Sequence, residues 1–436
     1  MNLKKLKIMK NIKIPTNPYL LFSPFLLFYV IFVSFMYSEI HVGDEGRFIF
    51  YAQNLLNGYY SLPEPHVNLV SGPGYPIILA PFVGLHLPKI FLVLLNAVFH
   101  YLSIIYLFKS LQQFVSINKS LIFSFFWACY YIAYQNMFKV TAETFTMLLI
   151  TLLIFYLIKA FNQPSFKGTK KYIFISGFIM GYLILTKVIF WYVLLFMFIG
   201  NVFLYIINRK AINYRKGLSI LLIAFITFVP YLLYTYHLTG RYFYLGTGSD
   251  NFYWMTTPYK GEYGDWKGPL TINPLHNGNY NIPGAGDTLI AHHQKDYDKI
   301  YSHKGGLEKD DAFMRIAISN VKSHPLKYAQ NIFFNFGRII FHYPFSYAVQ
   351  RPKPLYVMPL NGIIFTFIII CMIPTLINWR KIVFPIRFLL FFAFLYLGGS
   401  SLVSAETRML TIIVPILVFW FAFIIQKTVK INMREW

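Results

Sequence analysis

Asp44 and Glu45 stand side by side in His41-Val42-Gly43-Asp44-Glu45-Gly46-Arg47, just after the first long apolar segment. Acids are scarce in this chain: 16 Asp and Glu face 39 Lys and Arg. Two adjacent carboxylates beside an apolar run therefore call for a reason, because ionisable groups near lipid are costly and tend to mark function. The chemistry they suit is general base catalysis, in which a carboxylate takes a proton from a hydroxyl. Arg47 follows about one helical turn after Asp44, where its guanidinium can hold a phosphate or pair with an acid. Asp44 is also placed to cap a helix running from Glu45 to Asn57. Capping and proton transfer are compatible.

The elements that must position these residues are membrane helices. The chain has 436 residues, 57% hydrophobic, 20% aromatic and 13% charged. That is too apolar for a soluble protein of this length. Continuous apolar runs of about 18 to 25 residues recur, long enough to cross a bilayer as helices and too continuous for the alternating strands of a β-barrel. The spans read as Pro18–Ser38, Pro88–Phe108, Lys119–Met137, Thr141–Lys159, Tyr172–Thr186, Val188–Ile207, Leu218–Tyr236, Leu355–Ile377, Phe384–Leu402 and Leu410–Gln426. The expectation is an all-α integral membrane protein of about ten transmembrane helices, with juxtamembrane helices on its outer side. Tyr172–Thr186 is short and could form a re-entrant pair with the next run.

Basic residues set the orientation. Lys4, Lys5, Lys7, Lys10 and Lys13 precede the first span. Lys109 and Lys119, then Lys159 to Lys171, Arg209 to Lys216, and Arg380 with Lys381 occupy alternate loops, and Lys427, Lys430 and Arg434 form the tail. The positive-inside rule puts all of these, and both termini, in the cytoplasm. Every acid except Glu435 then falls on the outer side or at its edge. The net charge of +23 reads as topogenic charge that also meets anionic headgroups, and no nucleic-acid motif accompanies it. The N-terminus reads as an uncleaved signal anchor, and no soluble domain is expected after the last span. Cys129 and Cys371 both fall in apolar spans and read as packing residues.

Two outer segments break the membrane pattern. Residues 39–87 hold the Asp44 helix, ended by Gly58, a proline-rich stretch at 61–65, and Gly72-Pro73-Gly74-Tyr75-Pro76 opening an apolar stretch from Ile77 to Leu87 too short to span. Residues 237–354 form a long loop rich in Gly, Asn, Tyr and Trp, with a helix over Asp311 to Phe341 interrupted at His324-Pro325. The part from Leu326 onward is expected along the membrane surface. No internal repeat is seen.

These features together resemble the GT-C membrane glycosyltransferases, specifically the branch with protein O-mannosyltransferases and the bacterial aminoarabinose transferase of lipid A. Asp44-Glu45-Gly46-Arg47-Phe48 is similar to that family's Asp-Glu-x-Arg-Tyr at the start of the first outer loop. Gly72-Pro73-Gly74 stands in the place of a Lys-Pro-Pro-like turn. Thr141-Ala142-Glu143, Gly177-x-x-x-Gly181 with Leu185-Thr186-Lys187, Ser323-His324-Pro325, and Glu406-Thr407-Arg408-Met409 followed by Pro415 continue the pattern in order. Gly72 departs from a common Lys and Met409 from a Tyr. The resemblance implies one GT-C-like domain over residues 1–436. It implies transfer of a sugar from a polyprenyl-phosphate donor to an outward-facing acceptor (glycolipid, cell-envelope glycan or protein) at a bacterial cell membrane, with inversion.

Under that resemblance Asp44 is the base, with Glu45 beside it as a catalytic or acceptor-binding acid. Arg47, Arg408 and Lys187 would meet the donor phosphate, though Lys187 could equally snorkel. Glu143, Glu406 and Tyr75 are further acid or acceptor-binding candidates. Glu143 could instead pair with Lys139. A monophosphate donor does not demand a divalent ion, so neither a cofactor nor a metal site is expected. Asp296-Tyr297-Asp298 and His292-His293 with His303 read as solvated loop. Asn251-Phe252-Tyr253-Trp254 and Trp266 fit a sugar platform or an interfacial belt. The rivals are a polysaccharide polymerase or O-antigen ligase, and a lipid or sugar transporter. A transporter would place charges at the bilayer midplane.

Overall fold

The computed structural model describes residues 17–428 except 42, 164, 209–210, 243, 245, 247, 268–284, 348–351 and 404. Most of the basic residues that set the orientation at the two termini, and Arg209 with Lys210, lie outside the described residues. Among the described residues every regular element is helical, as expected of backbone that must satisfy its own polar groups in lipid.

The helices are α1 Pro18–Leu21, α2 Ser23–Met36, α3 Glu45–Leu56, α4 Gly74–Gly84, α5 Lys89–Leu111, α6 Ile117–Cys129, α7 Tyr131–Tyr134, α8 Glu143–Asn162, α9 Lys170–Thr186, α10 Phe190–Ile207, α11 Ile212–Thr239, α12 Gly248–Met255, α13 Ala285–Tyr301, α14 Gly306–Ser323, α15 Pro325–Phe341, α16 Lys353–Ile377, α17 Phe384–Val403 and α18 Thr407–Thr428. Seven of them, α5, α8, α10, α11, α16, α17 and α18, are long and apolar enough to cross a membrane. Each of the ten expected spans contains a helix, but in three of them the helix is not among these seven, so the count of ten is not reached among the described residues. Pro18–Ser38 breaks at Phe22, just before Pro24. Lys119–Met137 breaks at Tyr130, whose backbone turns extended and whose hydroxyl bonds Asn361. The third, α9, has 17 residues. It packs on α8 and α11 more than on the following α10, so it does not pair re-entrantly with its neighbour.

The bundle is layered by burial. In α8 and α18 the apolar windows are 78% and 83% buried, against 22% in α16 and 28% in α10. The first pair is the axis and the second faces outward. Gly177 and Gly181 let α9 lie against α11: a Cβ at Gly181 would fall 2.7 Å from the Ala224 carbonyl. This is close small-residue packing, so the Gly177-x-x-x-Gly181 element is scaffold. Lys216, grouped with the cytoplasmic loop charges, is buried in α11 and donates to the Ala160 and Gln163 carbonyls at the end of α8, where a cation satisfies orphan acceptors. Cys371 is buried, while Cys129 is exposed and so is not a packing residue.

The long segment 237–354 has its own core of Tyr253, Trp254, Leu289, Tyr297, Ile300, Ala312, Phe313 and Ala317. Tyr253 and Trp254 of the aromatic run thus supply core, with Phe252 packed against it, and Tyr297 of the Asp-Tyr-Asp run belongs to the same core. Asp296 accepts from the Tyr253 hydroxyl at 3.1 Å. The break at His324 falls where Pro325 requires it. Glu64 of the first outer segment accepts from the Gly306 and Leu307 amides at 3.0 and 2.8 Å. A carboxylate there satisfies the open donors of α14 and ties residues 39–87 to the 237–354 segment.

Asp250, on α12, gives this outer core a pH dependence. Burial pushes its carboxyl up to about 6, partly opposed by the Trp266 indole N–H at 3.2 Å. The folded value lies above the unfolded one near 4, so the folded state holds the proton more tightly. The contribution favours folding at low pH and is withdrawn as pH rises from about 4 to about 6. Asp250→Asn is expected to gain up to about 3 kcal/mol over the wild type well above pH 6 and nothing below pH 4. Thermal unfolding in detergent across that range checks it, and a difference independent of pH would refute it.

Candidate active site

Asp44 precedes α3 with helical backbone angles, and its side chain makes no capping bond. The carboxylate instead turns outward between two guanidiniums. Arg47 Nη2 lies 2.8 Å from Oδ1, and Arg408 Nη1 lies 3.3 Å from Oδ2. The cap expected as an alternative is therefore not made. Arg408, in the first turn of α18, reaches two further acids: Glu143 at 3.6 Å and Glu406 at 3.2 Å. Lys187, just past α9, pairs with Glu143 at 2.8 Å. The partners of Glu143 are thus Lys187 and Arg408, on other elements, in place of Lys139. Ends of α3, α8, α9 and α18 meet in one alternating chain of charges, Arg47–Asp44–Arg408–Glu143–Lys187, with Glu406 on the Arg408 flank.

A cavity of about 250 Å³ opens on this cluster, lined by Asp44, Glu143, Glu406 and Arg408 together with Gln135, Asn136, Lys139, Thr141, Lys353 and Thr407. Arg47 and Lys187 are not among its lining residues; each backs an acid that is. Lys139, Lys353, Gln135 and Asn136 were not foreseen as site residues. The last two follow the break at Tyr130, and a polar pair closing an apolar run was the available signal. Asp44 keeps 35% of its side chain exposed and Arg408 44%, so both are open to a ligand.

Two predicted residues lie elsewhere. Glu45 is 1% exposed. It pairs with Lys89 Nζ at 3.1 Å and accepts from the Val140 amide at 2.9 Å. Lys89 also donates to the Ser38 and Ile40 carbonyls. This buried pair staples the first outer segment to α5 and to the entry of α8. Removing one partner of such a pair leaves a buried uncompensated charge, at roughly 3–5 kcal/mol. Lys89→Met is therefore expected to depress the thermal midpoint far more than Asp311→Asn, which breaks the half-exposed Arg241 pair. Comparable losses in the two variants would contradict the staple. Tyr75 is fully buried against Phe48 and Phe145 and does not line the cavity.

Gly72, where the resembled pattern has a lysine, leaves no room for a side chain. A Cβ there would lie 2.1 Å from the Leu185 carbonyl oxygen, so the turn rests flat on the end of α9, immediately before Lys187. No lysine fits. Gly72→Lys is expected to destabilise by about 2 kcal/mol or more through overpacking, seen as lost folded yield and a lower thermal midpoint. Unchanged stability would show that the end of α9 yields freely.

His292 and His293, expected in a solvated loop, lie on α13, and His293 is buried. Both meet Glu262. His303 is apart, 3.7 Å from Glu308.

The chain is similar to an oligosaccharyltransferase from Archaeoglobus fulgidus tethered with an acceptor peptide, with 11% identity and a TM-score of 0.49 over 93% of this chain and 49% of that one. It is similar to the archaeal oligosaccharyltransferase AglB from the same organism in complex with an inhibitory peptide and a dolichol-phosphate, with 13% identity and a TM-score of 0.47 over 93% and 50%. It is also similar to ArnT from Cupriavidus metallidurans bound to undecaprenyl phosphate, with 9% identity and a TM-score of 0.40 over 94% and 77%. The chain spans about half the length of the two oligosaccharyltransferases. No family model matches it, and no curated protein does.

Proposed function

We propose that this chain is a GT-C-type glycosyltransferase that moves one sugar from a polyprenyl-phosphate donor to a hydroxyl of an outward-facing acceptor, a glycolipid, cell-envelope glycan or protein, at a bacterial cell membrane. The observation that carries the reading is the Asp44 carboxylate, held at a polar cavity by Arg47 and Arg408 instead of capping its helix.

In the reaction, Asp44 takes the acceptor hydroxyl proton. The hydroxyl oxygen attacks the anomeric carbon, the bond from that carbon to the phosphate oxygen breaks, and the polyprenyl phosphate departs with the electron pair. A single displacement inverts the centre. The departing phosphate needs cations, and Arg408 supplies a planar fork for it, with Lys139 and Lys353 also lining the cavity. Arg408 is shared among three carboxylates at 3.2 to 3.6 Å. A donor phosphate competes for it and draws it off Asp44, so donor binding frees the base. Arg47 stays to orient Asp44.

The test is a glycan and lipid profile of cells with and without the gene. Loss of one sugar from one envelope component on deletion supports the reading and names the substrate. A change in polymer length with no sugar lost would favour a polymerase, and an unchanged profile with altered lipid distribution a transporter.

A further inference from the structure

Three metal-ligating side chains converge in the outer segment, sharing no residue with the cluster around Asp44. His292 Nδ1 lies 2.7 Å from Glu262 Oε1, and His293 Nε2 lies 2.9 Å from Glu262 Oε2. One ligand atom from each residue falls within 4.8 Å of the others. The Glu262 and His293 side chains are 2% exposed and that of His292 27%, so the cluster is buried with one accessible side.

The bonds around His293 bear on what fills it. The Tyr253 hydroxyl is 2.6 Å from His293 Nδ1 and 3.1 Å from an Asp296 carboxylate oxygen. One hydroxyl proton serves only one of them. Given to Asp296, it leaves Nδ1 to carry hydrogen and donate to the Tyr253 oxygen. In that arrangement the Nε2 lone pair faces the Glu262 carboxylate and a cation between them satisfies both, whereas with the hydroxyl proton on Nδ1 the Nε2–H donates to Glu262, which also accepts from the Thr257 hydroxyl. A carboxylate–hydroxyl–imidazole relay that fixes the tautomer is the support that metal-ligating histidines have. His292 is oriented as firmly, its ring stacked on Tyr259 with centroids 3.9 Å apart. The nearby Lys327 ammonium donates to the Glu262 backbone carbonyl at 2.6 Å.

We propose that Glu262, His292 and His293 bind a zinc ion. Two imidazoles and a carboxylate are a zinc ligand set, with bonds of about 2.0–2.2 Å and a fourth position for water. Tetrahedral bonds of that length place ligand atoms about 3.3 Å apart, so the two nitrogen–oxygen pairs at 2.7 and 2.9 Å open by about half an ångström and the widest separation in the set, within 4.8 Å, closes by up to about 1.5 Å. The ion would pin α13 to the loop after α12 and to Tyr347, which also donates to Glu262 at 2.7 Å, and so hold the outer core closed.

The full-length protein, purified in detergent and stripped with a chelator, is titrated with Zn²⁺ against a chromogenic competitor. The expected result is about one zinc per chain, at least tenfold weaker binding in Glu262→Gln and His293→Gln, and about ten- to hundredfold weaker binding in Tyr253→Phe. Zinc should raise the thermal midpoint of the wild type and not that of His292→Gln, a half-exposed position chosen in case the buried variants fail to fold. No uptake by the wild type at micromolar zinc, or uptake unchanged in His292→Gln, would overturn the proposal. The assay needs no transferase activity, so its outcome is independent of the function proposed above.

Discussion

Asp44→Asn is expected to lower transfer by about 10²–10⁴-fold, the usual contribution of a positioned general base, or about 3–5 kcal/mol of transition-state stabilisation. The loss should fall on kcat, because the amide cannot take the acceptor proton yet still offers an oxygen to Arg47. Donor affinity should hold or rise slightly, since Arg408 loses a competing carboxylate. Stability should change little: the side chain is 35% exposed and caps nothing. In cells, Asp44→Asn should lose the same sugar as the deletion. Full product from a well-folded Asp44→Asn protein would make Asp44 structural and require the base to be sought among Glu143 and Glu406.

Glu45→Gln is the useful contrast. The two acids adjoin in sequence, but successive residues on a helix project about 100° apart. One faces the cavity and the other the interior, against Lys89. Adjacency was legible and its consequence was not, because the partner of Glu45 lies 44 residues on in the chain and Val140 further still. The same holds for Glu143, whose nearest cation in sequence is Lys139, four residues back and before α8 begins, but whose ion pairs come from α18 and the end of α9. Long apolar runs were legible as helices because burial in lipid leaves the backbone no alternative. The break at Tyr130 was not, since its support is an asparagine on α16. Glu262 and His292-His293 were missed as a cluster for a related reason. The spacing of 30 residues matches no local metal motif, and only the packing of α12, α13 and α14 around Tyr253 and Tyr297 brings them together.

Arg408 carries the second large effect, and its two roles separate by measurement. As the clamp on Asp44, Glu143 and Glu406 it balances three acids with the help of Arg47 and Lys187. As the donor-phosphate ligand it must leave part of that clamp. Arg408→Lys keeps the charge but loses the planar fork, and a point charge cannot serve a phosphate and two carboxylates at once. The expected outcome is a ten- to hundredfold rise in the Kd for polyprenyl phosphate, about 1.4–2.8 kcal/mol, with a modest stability loss because the side chain is 44% exposed and its pairs are screened. Arg408→Ala should cost more on both axes. It leaves three carboxylates facing two cations, and Glu143 is the least exposed of the three. Adding Glu406→Gln to Arg408→Ala should then recover stability without recovering donor affinity. A clamp with no ligand role predicts the opposite: donor Kd unchanged in Arg408→Lys, with the whole defect in kcat through a misplaced Asp44. Equilibrium binding of the lipid phosphate to Arg408→Lys decides between the two, and it does so without knowing the sugar or the acceptor, because the phosphate is the part of the donor this residue is proposed to meet.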